Sequence, residues 1–245
     1  MSEGRAVSEM VSFVLVFSII VASVGVLYVS GVGSLTEARE SEQVKNAERA
    51  FVALATTFDD LQQGRAPARA GEIRLANGII RQSDSSRLRV QVERSGAASP
   101  WNWSSGGAAL TYEFDERRIR YDHGAVFRAS DASNVLVHEP AFHCSNGSAV
   151  VSTVRIESTE TTSVSKQGSV FIVGRSHGSE LLFPQDATPQ AGNTTVRVQV
   201  SSSPTRAAWE RYLDDAGWSK NGSWYECSAD TVVVRRTAIT VDFRV

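Results

Sequence analysis

The sequence predicts an α+β protein: a long N-terminal hydrophobic and amphipathic helix, then an antiparallel β-rich, sandwich-like domain with one inserted helix. Three observations predict it. No charged residue occurs in the 27 positions from Met10 to Thr36. Proline is absent before Pro67, so nothing forces a break in a helix over the first 66 residues. Beyond residue 72 the apolar spacing changes from a helical period to alternation.

The apolar run comes first. About 20 apolar residues span a bilayer as a helix, so the stretch from Met10 is long enough. A cleaved secretory signal has a shorter apolar core of ~7–15 residues ending at a small-residue site; here apolar residues continue to Leu35. Arg5 and the free amine precede the span, whereas Glu37, Arg39, Glu40, Glu42 and Lys45 follow it, which favours an N-terminus inside. Val44, Ala47, Phe51, Leu54, Phe58 and Leu61 then recur at steps of 3, 4, 3, 4 and 3, a seam along one helical face. A helix over residues ~8–63 measures roughly 80 Å. Gly31-Val-Gly33 ahead of Ser34-x-x-Glu37, a capping box, marks the one place for a kink or restart.

Gly64 to Gly71 reads as a linker. Ile73 and Leu75 lead into Asn77-Gly78 and out through Ile79 and Ile80, a hairpin pattern. Arg87 to Arg94 alternates Leu88, Val90 and Val92 with polar neighbours. Leu110, Tyr112 and Phe114 turn at Asp115-Glu116 and return through Ile119 and Tyr121 to a turn at His123-Gly124. Ser99 to Gly107 reads as a long loop. Further strands are Val150 to Ile156, Val170 to Val173, Val196 to Val200 and Ile239 to Val245. The inserted helix has Ser203-Pro204 at its cap, Trp209, Tyr212 and Leu213 on one face, and Gly217 at its end.

Composition excludes several functions. With 42% hydrophobic and 21% charged residues the chain is not wholly disordered. A net charge of −2 leaves no basic face, so no nucleic-acid partner is expected. Gly174-Arg-Ser176-His-Gly178 matches a nucleophile elbow, but no helix pattern follows and no histidine comes after His177. A hairpin turn accounts for its glycines; no catalytic residue is expected, and the chain reads as no enzyme. His138-Glu139 and His143-Cys144 have the wrong spacing for a helical zinc site, with Pro140 between them. No metal or cofactor is expected. Asp59-Asp60 and Asp214-Asp215 read as solvated helix surface. Cys144 and Cys227, an even count beyond the span, read as a disulfide. Sequons at Asn102, Asn146, Asn193 and Asn221 point to an extracellular, glycosylated domain.

The N-terminal Arg5-Ala6-Val7-Ser8-Glu9 resembles the class III signal of archaeal type IV pilin-like proteins. Asn46-Ala-Glu-Arg-Ala-Phe51, the stretch from Ala66 to Leu75, Tyr121-Asp-His-Gly-Ala-Val-Phe-Arg128 and Ala208-Trp-Glu-Arg-Tyr-Leu213 resemble a haloarchaeal family of single-span, pilin-like proteins without an established activity. The resemblance implies cleavage between Ala6 and Val7 by a prepilin-type peptidase, with the apolar helix retained. It also implies an assembly role for Glu9, pairing with the ammonium of a neighbouring subunit, although mature position three is earlier than in the bacterial pattern. The expected division is a leader over 1–6, a transmembrane helix over 7–33, an amphipathic extension over 34–63, a linker over 64–71 and a β-rich extracellular domain over 72–245. The resulting expectation is a single-pass cell-membrane protein, N-terminus cytoplasmic and C-terminal domain outside. Its partners would be membrane lipid, the peptidase and other pilin-like subunits in a type IV pilus-like filament. The alternatives are a stand-alone anchored extracellular binding domain and, more remotely, a membrane-tethered serine hydrolase.

Overall fold

A single uninterrupted helix, α1 (Glu3–Gln62), opens the chain. The computed structural model describes residues 3–130, 133–145, 147–157, 163–165, 167–185, 194–201 and 204–244; within α1 it describes side chains from Glu9 onward except Val29, Val32 and Gly33. The chain divides into two units, Met1–Lys45 and Asn46–Val245.

In the first unit α1 runs through Gly31 and Gly33 without a restart. The hydroxyl of Ser34 donates backward to the carbonyl of Gly31 at 3.0 Å instead of capping a new helix. The capping-box pattern is therefore absorbed as an ordinary helical turn.

In the second unit the seam is buried: Ala47, Phe51, Leu54, Phe58 and Leu61 are each at most 1% exposed. α1 ends in a Schellman motif. Gly64, at φ +70°, donates to the Leu61 carbonyl at 3.1 Å, and Arg65 to that of Asp60 at 2.9 Å. Sixteen described strands follow in two sheets. The larger sheet holds β1 (Ala68–Arg74) and β2 (Ile79–Asp84), and the smaller holds β3 (Arg87–Arg94) and β4 (Trp101–Ser105). The larger sheet continues with β5 (Ala108–Phe114), β6 (Arg117–Asp122), β7 (Ala125–Ala129), β8 (Asn134–His138), β9 (Ala141–Cys144), β10 (Ser148–Glu157), β11 (Ser163–Ser165) and β12 (Ser169–Phe183). After β13 (Thr194–Ser201) in the smaller sheet comes α2 (Arg206–Asp215), then β14 (Ser219–Asn221) and β15 (Trp224–Ala229) beside it. The final β16 (Thr231–Arg244) returns to the larger sheet, between β12 and β10.

The larger sheet separates two packing layers. Gly174 on β12 pairs with Val241 on β16, and a Cβ there would lie 2.6 Å from the ring of Phe58. That face carries α1, and Phe58 meets Tyr121 edge-on at 5.3 Å. Alternation along β10 and β16 turns Ala149, Val151, Val232 and Val234 to the other face. There they share one core with Val90 and Val92 of β3, Val196 and Val198 of β13, and Trp209 of α2. Fully burying a side chain such as Phe58 contributes ~1.5–3 kcal/mol, so the helix strip and the inter-sheet core both stabilise the domain.

Several local expectations change. β1 begins at Ala68, inside the stretch read as a linker, because its backbone pairs with β12 from Ala68↔Arg175. Ala76 and Asn77 do turn at φ +44° and +76°, but β1 pairs with β12 whereas β2 pairs with β5 and β11, so no β1–β2 hairpin forms. The buried Tyr112 ring fills this turn; a Cβ on Gly78 would lie 2.3 Å from it. β4 replaces the predicted loop, with Trp101 and Trp103 packed against the core and Asn102 exposed. β10 and β16 run parallel, unlike the other paired strands described. The N-cap of α2 is Thr205, without a side-chain cap bond, and Ser203 lies outside the described residues. Gly217 does end the helix, at φ +83°, in a second Schellman motif: Trp218 donates to the Leu213 carbonyl at 3.0 Å.

Candidate functional sites

The N-terminal unit is the first site. Glu9–Tyr28 is one helix long and apolar enough to cross a membrane, with a mean hydropathy of 2.7. Met10, Phe13, Leu15 and Phe17 are each more than half exposed. Hydrocarbon offers no hydrogen bonds, so polar groups within a span must be satisfied internally. Ser18 and Ser23 meet that demand by donating to the carbonyls of Val14 and Ile19 at 2.7 Å each, and Ser30, just beyond the stretch, donates to that of Val26 at 2.8 Å. Glu9 is exposed at the start of this stretch. Arg5, Ala6 and Val7 lie in the helical backbone, and their side chains lie outside the described residues.

Cys144 and Cys227 form the disulfide, joining β9 of the larger sheet to β15 of the smaller. Cys144 is thereby removed from any metal set. His138 Nε2 instead lies 3.4 Å from Asp59 Oδ2, and Asp60 pairs with Arg65 and Arg69 at 3.1 and 3.4 Å. The first aspartate pair is thus half-buried and partnered, not simply solvated. Asn102 and Asn221 are exposed on strands bordering the smaller sheet; Asn146 and Asn193 lie outside the described residues. The expected loop setting does not hold for Asn102, which lies within β4.

Gly174 to Gly178 forms neither an elbow nor a hairpin turn. The segment lies inside β12, and the register against β16 shifts between Ser176 and Ser179. His177 and Gly178 both oppose the single residue Ala238, a β-bulge, with Gly178 at φ +106°. Ser176 Oγ accepts from the Gly178 amide at 3.1 Å, and His177 Nε2 lies 3.1 Å from the Thr240 hydroxyl.

A polar cluster that the sequence reading missed occupies the larger sheet. Asp122 is wholly buried at the end of β6, and its Oδ2 accepts from the Ser86 amide at 3.0 Å, from the Ser86 hydroxyl, and from Arg120 Nε and Nη2 at 3.3 Å each. The next residue, His123, begins a tight turn with Gly124, both at positive φ. Its Nε2 lies 2.7 Å from the Ser86 carbonyl, which only accepts, so Nε2 carries the proton. Nδ1 lies 3.0 Å from the Thr153 hydroxyl.

Arg120 links this cluster to a surface cleft of about 430 Å³, lined among others by Arg81, Ser83, Thr111, Glu113, Arg118 and Thr205. Its Nη1 donates to the Ser83 and Thr111 hydroxyls at 3.0 and 3.4 Å, and its Nη2 also reaches the Asp84 carbonyl. At the mouth Glu113 accepts from Arg81 at 2.6 Å and faces Arg118 at 3.8 Å. The available signal was Arg118-x-Arg120 at strand spacing; register then sets Thr111 opposite Arg120 and Arg81 opposite Thr111.

These features define a class: a β-rich domain led by a helix able to anchor it in a membrane. The chain belongs to the Family of unknown function (DUF7289), whose model matches residues 5–242. No curated protein and no solved structure matches it.

Proposed function

We propose that the chain is a pilin-like structural subunit, held in the cell membrane by α1 with its N-terminus cytoplasmic and its β-rich domain outside. One observation carries this reading. The same uninterrupted helix supplies an exposed apolar stretch at Glu9–Tyr28 and a strip, from Ala47 to Leu61, buried in the β-rich domain. The resemblance of Arg5 to Glu9 to a class III signal adds a processing step between Ala6 and Val7. The disulfide suits an oxidising exterior. Exposed Asn102 and Asn221 leave room for glycan in solvent.

In this reading Glu9 becomes mature residue three and pairs with the ammonium of a neighbouring Val7 during assembly. An acid at the bilayer centre is unfavourable by ~2.5–3.5 kcal/mol, and by less near the interface, so a paired partner is favoured there. Replacing Glu9 with leucine is expected to leave insertion, processing and domain folding intact while lowering subunit recovery in isolated filaments several-fold. Unchanged recovery contradicts the pairing role. Absence of filaments from the wild-type chain favours the second reading, a stand-alone anchored binding domain, for which the arginine-lined cleft speaks.

A further inference from the structure

We propose that the outer face of the smaller sheet binds an acidic saccharide, either free or carried on the neighbouring Asn102, in a groove formed by β3, β4 and β15. The sheet runs in the order β14-β15-β13-β3-β4. Its inner face gives Val90, Val198 and Tyr225 to the core. Alternation therefore turns Arg89, Gln199 and Trp224 outward. Register sets Gln199 opposite Arg89, Arg89 opposite Ser104, and Asn221 opposite Trp224. Arg89, Asn102, Ser104 and Trp224, together with Val90 and Trp103, line a groove of about 350 Å³.

Charge is uneven along this face. At one end Arg197 lies between two carboxylates, Glu226 at 2.6 Å and Glu93 at 2.9 Å. At the other, Arg87 and Arg89 are exposed, and among the described residues neither pairs with a carboxylate. A guanidinium has five N–H donors. The Arg89 side chain engages one acceptor, the neutral Gln199 Oε1 at 3.4 Å, so its fork stays available to an anion. No acidic residue is among the described residues lining the groove.

Trp224 sets the rest of the ligand. It is half-buried on an otherwise polar face, and an indole ring packs against the C–H side of a sugar while polar neighbours meet the sugar hydroxyls. Those neighbours are the exposed Ser104 and Asn102. Asn102 accepts from Gln91 at 2.9 Å and donates through Nδ2 to the Pro100 carbonyl at 3.0 Å, which leaves a second Nδ2 proton for a ligand. A single-stranded nucleic acid also stacks on aromatic rings, but it uses a platform for each of several bases. Among the described strands of this sheet Trp224 is the one outward aromatic, since Trp101, Trp103 and Tyr225 pack against the core. Asn102 and Ser104 belong to one sequon, so a glycan there starts at the groove itself. That source rests on the glycosylation proposed above; the free one does not.

The test is calorimetric titration of the full-length, detergent-solubilised chain, made in cells without an oligosaccharyltransferase, at low ionic strength. The probes are trigalacturonate, its neutral methyl ester and a thymidine oligonucleotide. Saturable one-to-one binding of trigalacturonate is expected, at least tenfold tighter than that of the ester. Arg89→Gln should weaken it at least tenfold and Arg87→Gln severalfold, with the melting temperature unchanged. Trp224→Ala should also weaken it at least tenfold, while Trp224→Tyr, which keeps an aromatic face, should retain binding. Arg117→Gln on the larger sheet should change nothing. The same titration of glycosylated chain from native membranes separates the sources: equal binding assigns the free saccharide, and binding lost where Asn102 carries glycan assigns the attached one. Absence of saturable binding, equal binding of the ester, affinity indifferent to Arg89 and Trp224, or tighter binding of the oligonucleotide overturns the proposal. None of these results bears on filament assembly.

Discussion

Tyr212 on α2 donates its hydroxyl to the Phe142 carbonyl at 2.8 Å. Burial, followed by the nearby charge of Glu139, pushes its ionisation well above the ordinary tyrosine range, against the bond to Phe142. Tyr121 is raised too, first by burial, then by Asp59 and Asp122. In the unfolded chain each tyrosine ionises near pH ~10, while in the folded chain it keeps its proton. Stability from these groups is thus full below that pH and falls as pH rises beyond it, by about 1.4 kcal/mol per pH unit for each tyrosine. Denaturant titrations between pH 9 and pH ~12 should show this fall, and Tyr212→Phe should make it shallower by one tyrosine's share. Stability that stays level over that range contradicts the assignment. At this scale the cysteine pair was legible because an even count beyond a span leaves one natural pairing. Gly78 and Gly174 were not, since what demands glycine there is the distant ring of Tyr112 or Phe58. The Ser86, Arg120 and Asp122 cluster escaped for the same reason: its partners are 36 residues apart between Ser86 and Asp122.

Elements follow their apolar pattern where both sides of a strand have distinct surroundings. β3 occupies Arg87–Arg94 as the alternation requires, and the β5–β6–β7 meander forms around the two expected turns. Edge strands depend on a partner for their backbone bonds and carry less of a pattern. β1 exposes Ala68, Arg69 and Ala70, and β4 was hidden among serines and glycines. β12 runs for 15 residues because a bulge at His177 and Gly178 re-aims it without ending it. Between elements, the disulfide ties the two sheets across a sequence separation of 83. Loop-closure entropy allows it about 4–5 kcal/mol as an upper figure. A Cys144→Ser, Cys227→Ser double variant should lose a large part of that in denaturant unfolding. Free thiols in the unreduced wild type, or a loss under ~1 kcal/mol, contradict a stabilising bridge.

Across the whole molecule, the order of helix, strands, inserted helix and strands was legible because the hydrophobic period changes from helical to alternating near residue 72 and returns to helical only around Trp209, Tyr212 and Leu213. The two-sheet arrangement was legible as a class, but sheet order was not. The parallel placing of β16 beside β10 is set by shared burial of Val151 and Val234 in the inter-sheet core, which no local pattern encodes. The buried strip of α1 and the apolar stretch of the same helix are what the pilin-like account rests on. That account makes a covalent claim about the first residues of the mature protein. Mass spectrometry of the N-terminal peptide from membrane-purified protein tests it most directly. A mature chain beginning at Val7, with Glu9 as its third residue, is the predicted result; a chain that still begins at Met1 or Ser2 contradicts it.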